Sequence, residues 1–193
     1  MMSEPILKGT LKTNVSDMVV GDYIAARYTT TATTAVGSFS EIGTVDTSTV
    51  NPWTTSNLDG YVYLIKIDRG TLMCNMITMV GIPYKTINNS DLVCGKKITI
   101  DTIDYIQRIP CANELDIANS TMADGVQDMA DALTNFNTTS TAKEKVQELD
   151  STMKCGVYTW NTGMVTYEAI TTNHNARFVL TFKDNDKSID VFH

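Results

Sequence analysis

Basic residues are scarce in this chain: 15 Lys and Arg stand against 22 Asp and Glu, giving a net charge of −7 and a pI near 4.7. Phosphate backbones are held mainly by clustered Lys and Arg, and no basic patch is readable, which argues against a nucleic-acid partner. No C-x-x-C pair occurs either. Cys74, Cys94, Cys111 and Cys155 are separated by 20, 17 and 44 positions, so zinc-ribbon and redox-dithiol signatures are missing. Buried free thiols are the expected state, because unpaired Cys packs as a small hydrophobe; one or two disulfides, or a metal site, are the alternatives. No stretch approaches the ~18 consecutive apolar residues of a membrane span. Residues 1–10 lack the basic start and apolar run of a secretory leader. A soluble chain, not inserted in a membrane and assembled in a reducing cytoplasm, is expected.

Catalytic signatures are missing as well. There is no G-x-S-x-G, H-E-x-x-H, phosphate loop or G-x-G-x-x-G. Of two histidines, His193 is the last residue, where fraying opposes fixed positioning. His174 sits in the loop-like TTNHNA and reads as a surface hydrogen-bonding group. The expectation is a non-enzymatic protein with no catalytic residue and no cofactor.

What the chain has in quantity is hydroxyl and amide: 29 Thr, 14 Asn and 11 Ser among 193 residues. Hydrophobic residues make up 42%, charged residues 19%, and the mean hydropathy is −0.09, well within the globular range. The length suits one domain or two small ones with a real core.

VVGDYIAARY predicts a strand beginning near Tyr23. Residues 29–57 are dense in Thr and turn residues without helical period, and read as a linker or as an ordered extended arm packed on neighbouring subunits. The turn at residues 57–60 launches YVYLIKI, and a second turn at residues 68–70 leads into a returning strand, TLMCNMITMV, making a hairpin. Residues 97–100 and 105–109 form a second hairpin around residues 101–104. ANELDIA predicts a short helix. Val126, Met129, Ala130 and Leu133 trace a second helical stripe. Thr141-Ala142-Lys143-Glu144 matches a capping box, with Val146, Leu149 and Met153 continuing a third helix. VYTW, MVTYEAI and ARFVLTF close the chain as strands. This order predicts an α+β fold: antiparallel strands with two or three helices on one side.

Two carboxylate groupings stand close enough in sequence to suggest chemistry. Asp184, Asp186, Ser188 and Asp190 alternate like the opening of a calcium loop, but the sharp-turn Gly and distal Glu do not follow, so a solvated tail and no metal site is expected. Glu114 and Asp116 point to different helix faces and suit a helix-start electrostatic role. For binding, Trp53, Tyr158, Trp160 and Tyr167 are the candidates, because such rings stack on sugars or anchor interfaces, with core packing as the alternative. Trp53, after Pro52 in the polar segment, reads as an intersubunit anchor.

The opening LKTNVSDMVVGDYIAARYTTTATTAVGSFSEIG resembles that of bacteriophage and prophage virion proteins of the tail-fibre or appendage kind. Their V-x-D-M-x-V-G-D-Y-I start and Y-T-A-T…G-x-F-S-x-L-G continuation are matched by Val15, Asp17, Met18, Val20, Gly21, Asp22, Tyr23, Ile24, Tyr28, Thr29, Gly37, Phe39, Ser40 and Gly43. Gly95, Lys96, Ile98, Tyr105, Arg108, Pro110, Asn113, Glu114 and Asp116 match a later G-K-x-I…Y-x-x-R-L-P-x-x-N-E-W-D run, with Leu115 in place of Trp. VYTW and NARFVLTF, through Tyr158, Trp160, Arg177, Val179 and Leu180, resemble closing strands of the C-type-lectin-like fold, with Phe178 in place of Pro.

The resemblance implies an N-terminal β arm over residues 1–57 that docks into a virion, and a C-type-lectin-like domain over residues 58–193. It implies a non-enzymatic structural protein of the virion, assembled in the host bacterial cytoplasm, with other virion proteins as partners. A homo-oligomer, a trimer by fibre analogy, and a host cell-surface glycan are further partners it suggests. The lectin tripeptides Glu-Pro-Asn and Trp-Asn-Asp are absent, only Trp160-Asn161-Thr162 approaching the second, so calcium-dependent sugar binding is not implied. The alternatives are a capsid head-fibre or decoration protein and a soluble carbohydrate-binding adhesin.

Overall fold

A computed structural model describes residues 9–119, 143–149, 154–159 and 164–183. Its strands in chain order are β1 (Leu11–Lys12), β2 (Tyr23–Thr29), β3 (Ser38–Ile42), β4 (Asp59–Asp68), β5 (Thr71–Cys74) and β6 (Met79–Pro83). Helix α1 (Tyr84–Asn88) precedes β7 (Lys96–Ile100) and β8 (Ile103–Arg108), and α2 (Ala112–Asn119) follows them. The remaining strands are β9 (Lys143–Leu149), β10 (Cys155–Thr159), β11 (Met164–Glu168), β12 (Asn173–Ala176) and β13 (Val179–Phe182). The fold is β-rich with two short helices among the described residues.

An eight-stranded sheet runs β1-β2-β4-β5-β13-β8-β7, with β3 also paired to β2. The predicted hairpins form its centre and one end: β4 pairs antiparallel with β5, and β7 with β8. Its two ends approach one another. The Ile42 amide donates to the Asp101 carboxylate at 3.3 Å, and the Gln107 amide to the Gly37 carbonyl at 3.5 Å. A second, five-stranded sheet runs β11-β10-β9-β12-β6.

The portions on either side of residue 58 meet inside the first sheet. β2 pairs with β4 along its whole length, from Tyr23↔Ile65 to Thr29↔Asp59. Residues 29–57 are folded onto this sheet: the Trp53 amide donates to the Tyr61 carbonyl at 2.8 Å, and the Tyr61 amide to the Asn51 carbonyl at 3.0 Å. Tyr28, Phe39, Trp53 and Phe178 stack in the main core, with ring centroids 5.1–5.7 Å apart around Tyr28. Four rings of this size supply much of the apolar area that holds such a core.

The expected returning strand at residues 71–80 is split. β5 stops at Cys74, the chain crosses to the second sheet, and β6 resumes there. It crosses back at Arg177 and Phe178, beside the first crossing, where the Cys74 amide donates to the Phe178 carbonyl at 2.9 Å. The same crossing divides ARFVLTF between β12 and β13.

One helix expectation is overturned. The segment from Lys143, read as the start of a capped helix, is β9, antiparallel to β10 through Lys145↔Val157 and Lys143↔Thr159. The Glu144 carboxylate does not cap a helix. It is fully buried and chelates the fully buried Arg177 guanidinium: Nε donates to Oε2 at 2.7 Å, and Nη2 donates to Oε1. Arg177 Nη1 also donates to the Cys74 carbonyl at 3.3 Å. A long-range ion pair has overridden a local propensity signal. The stripe at Val126–Leu133, together with Thr141, Ala142 and Met153, lies outside the described residues. The ANELDIA helix is α2. Its start is held by Glu114, which chelates the Arg108 guanidinium and accepts the Cys111 amide at 2.9 Å. Burial favours a neutral Glu114, but the Arg108 and Cys111 donors overcome it and hold the carboxyl below its usual range.

Candidate functional site

A groove of about 510 Å³ lies at the end of β2. Residues 29–31 and 36–38 form one wall; residues 89–91 and Lys96 form the other. The groove therefore joins the hydroxyl-rich segment to the α1–β7 connection.

The first wall is a loop tied at several points. The Thr30 amide donates to the Leu58 carbonyl at 2.9 Å, and its hydroxyl to the Ala32 carbonyl at 2.8 Å, closing a local turn of the kind Thr favours. The Val80 amide donates to the Thr33 carbonyl at 2.7 Å, pinning the loop to β6. At Gly37 the backbone runs against Tyr28. Its amide donates to the Tyr28 hydroxyl at 3.0 Å, and a Cβ there would lie 2.4 Å from the Tyr28 ring, so only glycine fits. Burial pushes the Tyr28 phenol well above its ordinary pKa, keeping it neutral beneath the groove.

The second wall is the end of α1. The Leu92 amide donates to the Ile87 carbonyl at 3.2 Å and the Asp91 amide to the Asn88 carbonyl at 3.0 Å, with Asp91 at φ 61°. This is a Schellman turn closed by the buried pair Ile87 and Leu92, and Asp is among the few non-glycine residues that accept the left-handed position. The Ser90 hydroxyl donates back to the Thr86 carbonyl at 3.0 Å. The turn thus presents Asn89 and Asp91 from a rigid base.

Within these walls the side chains of Thr31, Ser38, Asn89, Asp91 and Lys96 make no hydrogen bond or ion pair among the described residues. They offer hydroxyls, an amide, one carboxylate and one ammonium to the groove. Nothing in this set pairs a nucleophile with a base, so the arrangement suits binding by hydrogen bonds. A smaller hollow of about 190 Å³ lies where Tyr105 and Phe182 meet between β8 and β13.

The aromatic candidates lie elsewhere and are not brought together. Trp53 is 1% exposed and packed in this chain's own core, which removes its ring from the surface on which an intersubunit anchor would act. Its indole nitrogen has no hydrogen-bond partner among the described residues. Tyr158 is fully buried in a second core cluster with Ile65, Val146 and Val179. Tyr167, on β11, is 45% exposed and available for contact. Trp160, Asp184, Asp186, Ser188 and Asp190 lie outside the described residues. Among the described residues no cluster of three or more His, Cys, Asp or Glu could hold a metal ion, and no helix is long and apolar enough to cross a membrane.

His174 is engaged. Its Nε2 lies 2.8 Å from Glu168, which also receives Lys143 at 3.0 Å. His174 first, and Lys143 second, hold the Glu168 carboxyl below its usual range. All four cysteines are free; Cys74 and Cys155 are buried and Cys94 is exposed. Burial pushes the Cys74 thiol up to about 12, the behaviour of an inert structural thiol.

Asn89, Asp91, Ser38 and Lys96 were not singled out by sequence as a set. The readable signal was the polar turn N-N-S-D after YKTI, but nothing local pairs it with a loop far earlier in the chain. Comparison with protein-family models, with curated proteins and with solved structures finds no match to this chain.

Proposed function

We propose that this chain is a non-enzymatic structural component of a bacteriophage particle, of the tail-fibre or appendage kind. In this reading residues 1–57 contribute to docking. Residues 58–193 form a lectin-like portion that faces other subunits or the host surface.

One observation carries the reading: Asp22, Gly43, Arg108 and Glu114 of the phage-like motifs fall at positions that the backbone architecture requires. The Asp22 carboxylate, 5% exposed, accepts the Thr10 and Val19 amides at 3.0 Å each. Gly43 takes φ 83°, and a Cβ there would sit 2.1 Å from the Thr13 carbonyl oxygen. Arg108 and Glu114 pair to start α2. The two departures, Leu115 and Phe178, are both fully buried apolar residues, so they keep the core filled. A shared scaffold with variable loops is what this supports, and the scaffold alone fixes no ligand.

The test is mass spectrometry of purified particles from a host that carries the sequence. Tens of copies or more per particle are expected for a fibre or appendage, and hundreds would favour head decoration. Particles without the chain would refute the proposal.

A further inference from the structure

We infer that the groove between residues 29–38 and 89–96 is a saccharide-binding site for neutral or N-acetylated sugars. This deepens the proposed function, on which it rests for the origin of the saccharide and for display in repeated copies.

A sugar hydroxyl both donates and accepts, so a site for several of them needs both kinds of partner. The unpaired groups meet that need: the Asp91 carboxylate accepts, the Lys96 ammonium donates, and Asn89, Thr31 and Ser38 do both. Asn and Asp side chains are planar and can bridge two neighbouring hydroxyls at once. Their position on a closed Schellman turn, opposite a loop pinned by the Thr30, Val80 and Gly37 contacts, reduces the ordering cost of binding. The volume, about 510 Å³, falls in the range of about 300–1,000 Å³ typical of small-ligand sites.

The lining argues against other ligand classes. A phosphate or polyanion calls for several cations, and Lys96 is the one cation in the lining, set beside Asp91 in a chain of net charge −7. An apolar peptide anchor calls for an apolar pocket, and here Val36 is the one apolar side chain. Val36 is itself partly buried against the core, leaving a small patch suited to the carbon face of a sugar ring.

No aromatic ring lines the groove, so each site binds weakly. Display in many copies offsets this, since linked sites raise overall avidity by about 10²–10⁴ without new contacts. A particle component present in repeated copies meets that condition.

The experiment displays the full chain multivalently on beads. The probes are neutral and N-acetylated oligosaccharides and purified host-wall polysaccharide, with polyphosphate as the anionic control. We expect retention of at least one neutral or N-acetylated probe. In the triple variant Ser38→Ala, Asn89→Ala, Lys96→Ala, three groups without partners among the described residues, retention falls by about tenfold or more with the circular-dichroism spectrum unchanged. Asp91→Asn keeps a residue that tolerates the left-handed turn and lowers retention several-fold. Tyr167→Ala leaves it unchanged. Retention of no saccharide, retention of polyphosphate alone, an undiminished triple variant, or loss on Tyr167→Ala would each overturn the assignment. Particle mass spectrometry separates the two proposals. The chain present in particles without saccharide retention refutes the groove alone, whereas groove-dependent retention by a chain missing from particles refutes the virion role and favours an adhesin.

Discussion

The two sheets hold themselves together by different chemistry. The first buries rings and aliphatic side chains: Tyr28, Phe39, Trp53 and Phe178 over Ile24, Leu64 and Leu72. The second adds Met79, Ile82, Val157 and Ala176 to the same apolar core and, beyond them, buries charge. Glu144, Lys145 and Arg177 are all fully buried on or beside β9 and β12, and Lys145 donates to the Cys155 sulfur at 3.2 Å, with its ammonium 5.9 Å from the Tyr84 ring. An apolar core tolerates change in proportion to the volume lost. A paired buried charge depends on its partner, because the desolvated survivor has nothing to replace it. Arg177 also sits where the chain crosses between sheets, so its pairing bears on how the two are joined.

The largest expected effects test that contrast directly. Arg177→Met removes the guanidinium that chelates the buried Glu144 carboxylate, and should cost about 3–5 kcal/mol in urea unfolding at neutral pH. Adding Glu144→Gln should recover most of that loss. Trp53→Ala should cost a similar ~3–5 kcal/mol through the cavity it opens, but no second polar substitution should restore it. A double variant as unstable as Arg177→Met alone would remove the distinction between the buried ion pair and the apolar packing.

A smaller effect is expected at the groove floor. Tyr28→Phe keeps the ring packing and removes the acceptor of the Gly37 amide, which lies 3.0 Å away. An orphaned amide of this kind costs about 1–3 kcal/mol. Hydrogen exchange at Gly37 should accelerate more than at Ile24, which shares the sheet but not the contact. Equal acceleration at both would mean that the sheet as a whole, rather than the wall of the groove, had loosened.

The same contrast explains what could be read in advance. YVYLIKI and the two hairpins are dense in β-branched and aromatic residues, and the first sheet rests on such residues, so these strands were legible; VYTW, on β10 of the second sheet, was legible by the same signal. β9 was not. Lys143-Glu144-Lys145 looks solvated, and Glu144 three positions after Thr141 looks like a cap, because the partner that buries it stands at residue 177. Trp53 shows the converse limit. A large ring in a polar segment announces buried area, but whether the burying surface belongs to this chain or to another depends on a fold that brings residues 51–53 across β4. The groove was illegible for a related reason: its walls come from separate segments, each of which alone reads as an ordinary polar turn.

The smallest effect contrasts an exposed ion pair with the buried one. Arg27 and Asp59 face each other across β2 and β4, with Arg27 Nε and Nη2 each 2.9 Å from a carboxylate oxygen, and the Thr29 hydroxyl also donates to Asp59 at 2.9 Å. Asp59 is half exposed, so water and salt screen the pair and little stability rests on it. Its titration should still report the contact. The Arg27 hydrogen bond first, then the Thr29 hydroxyl, lower the Asp59 carboxyl from 3.8 to about 2. A depressed folded pKa places the stabilising contribution above the ordinary value and removes it as the pH falls from about 4 towards 2. Arg27→Gln should raise the midpoint seen by carboxyl-carbon NMR only part of the way back, because the Thr29 bond remains, and Thr29→Val should raise it less. A midpoint that stays near 2 without Arg27 would show that the exposed guanidinium, unlike the buried one at Arg177, holds nothing in place.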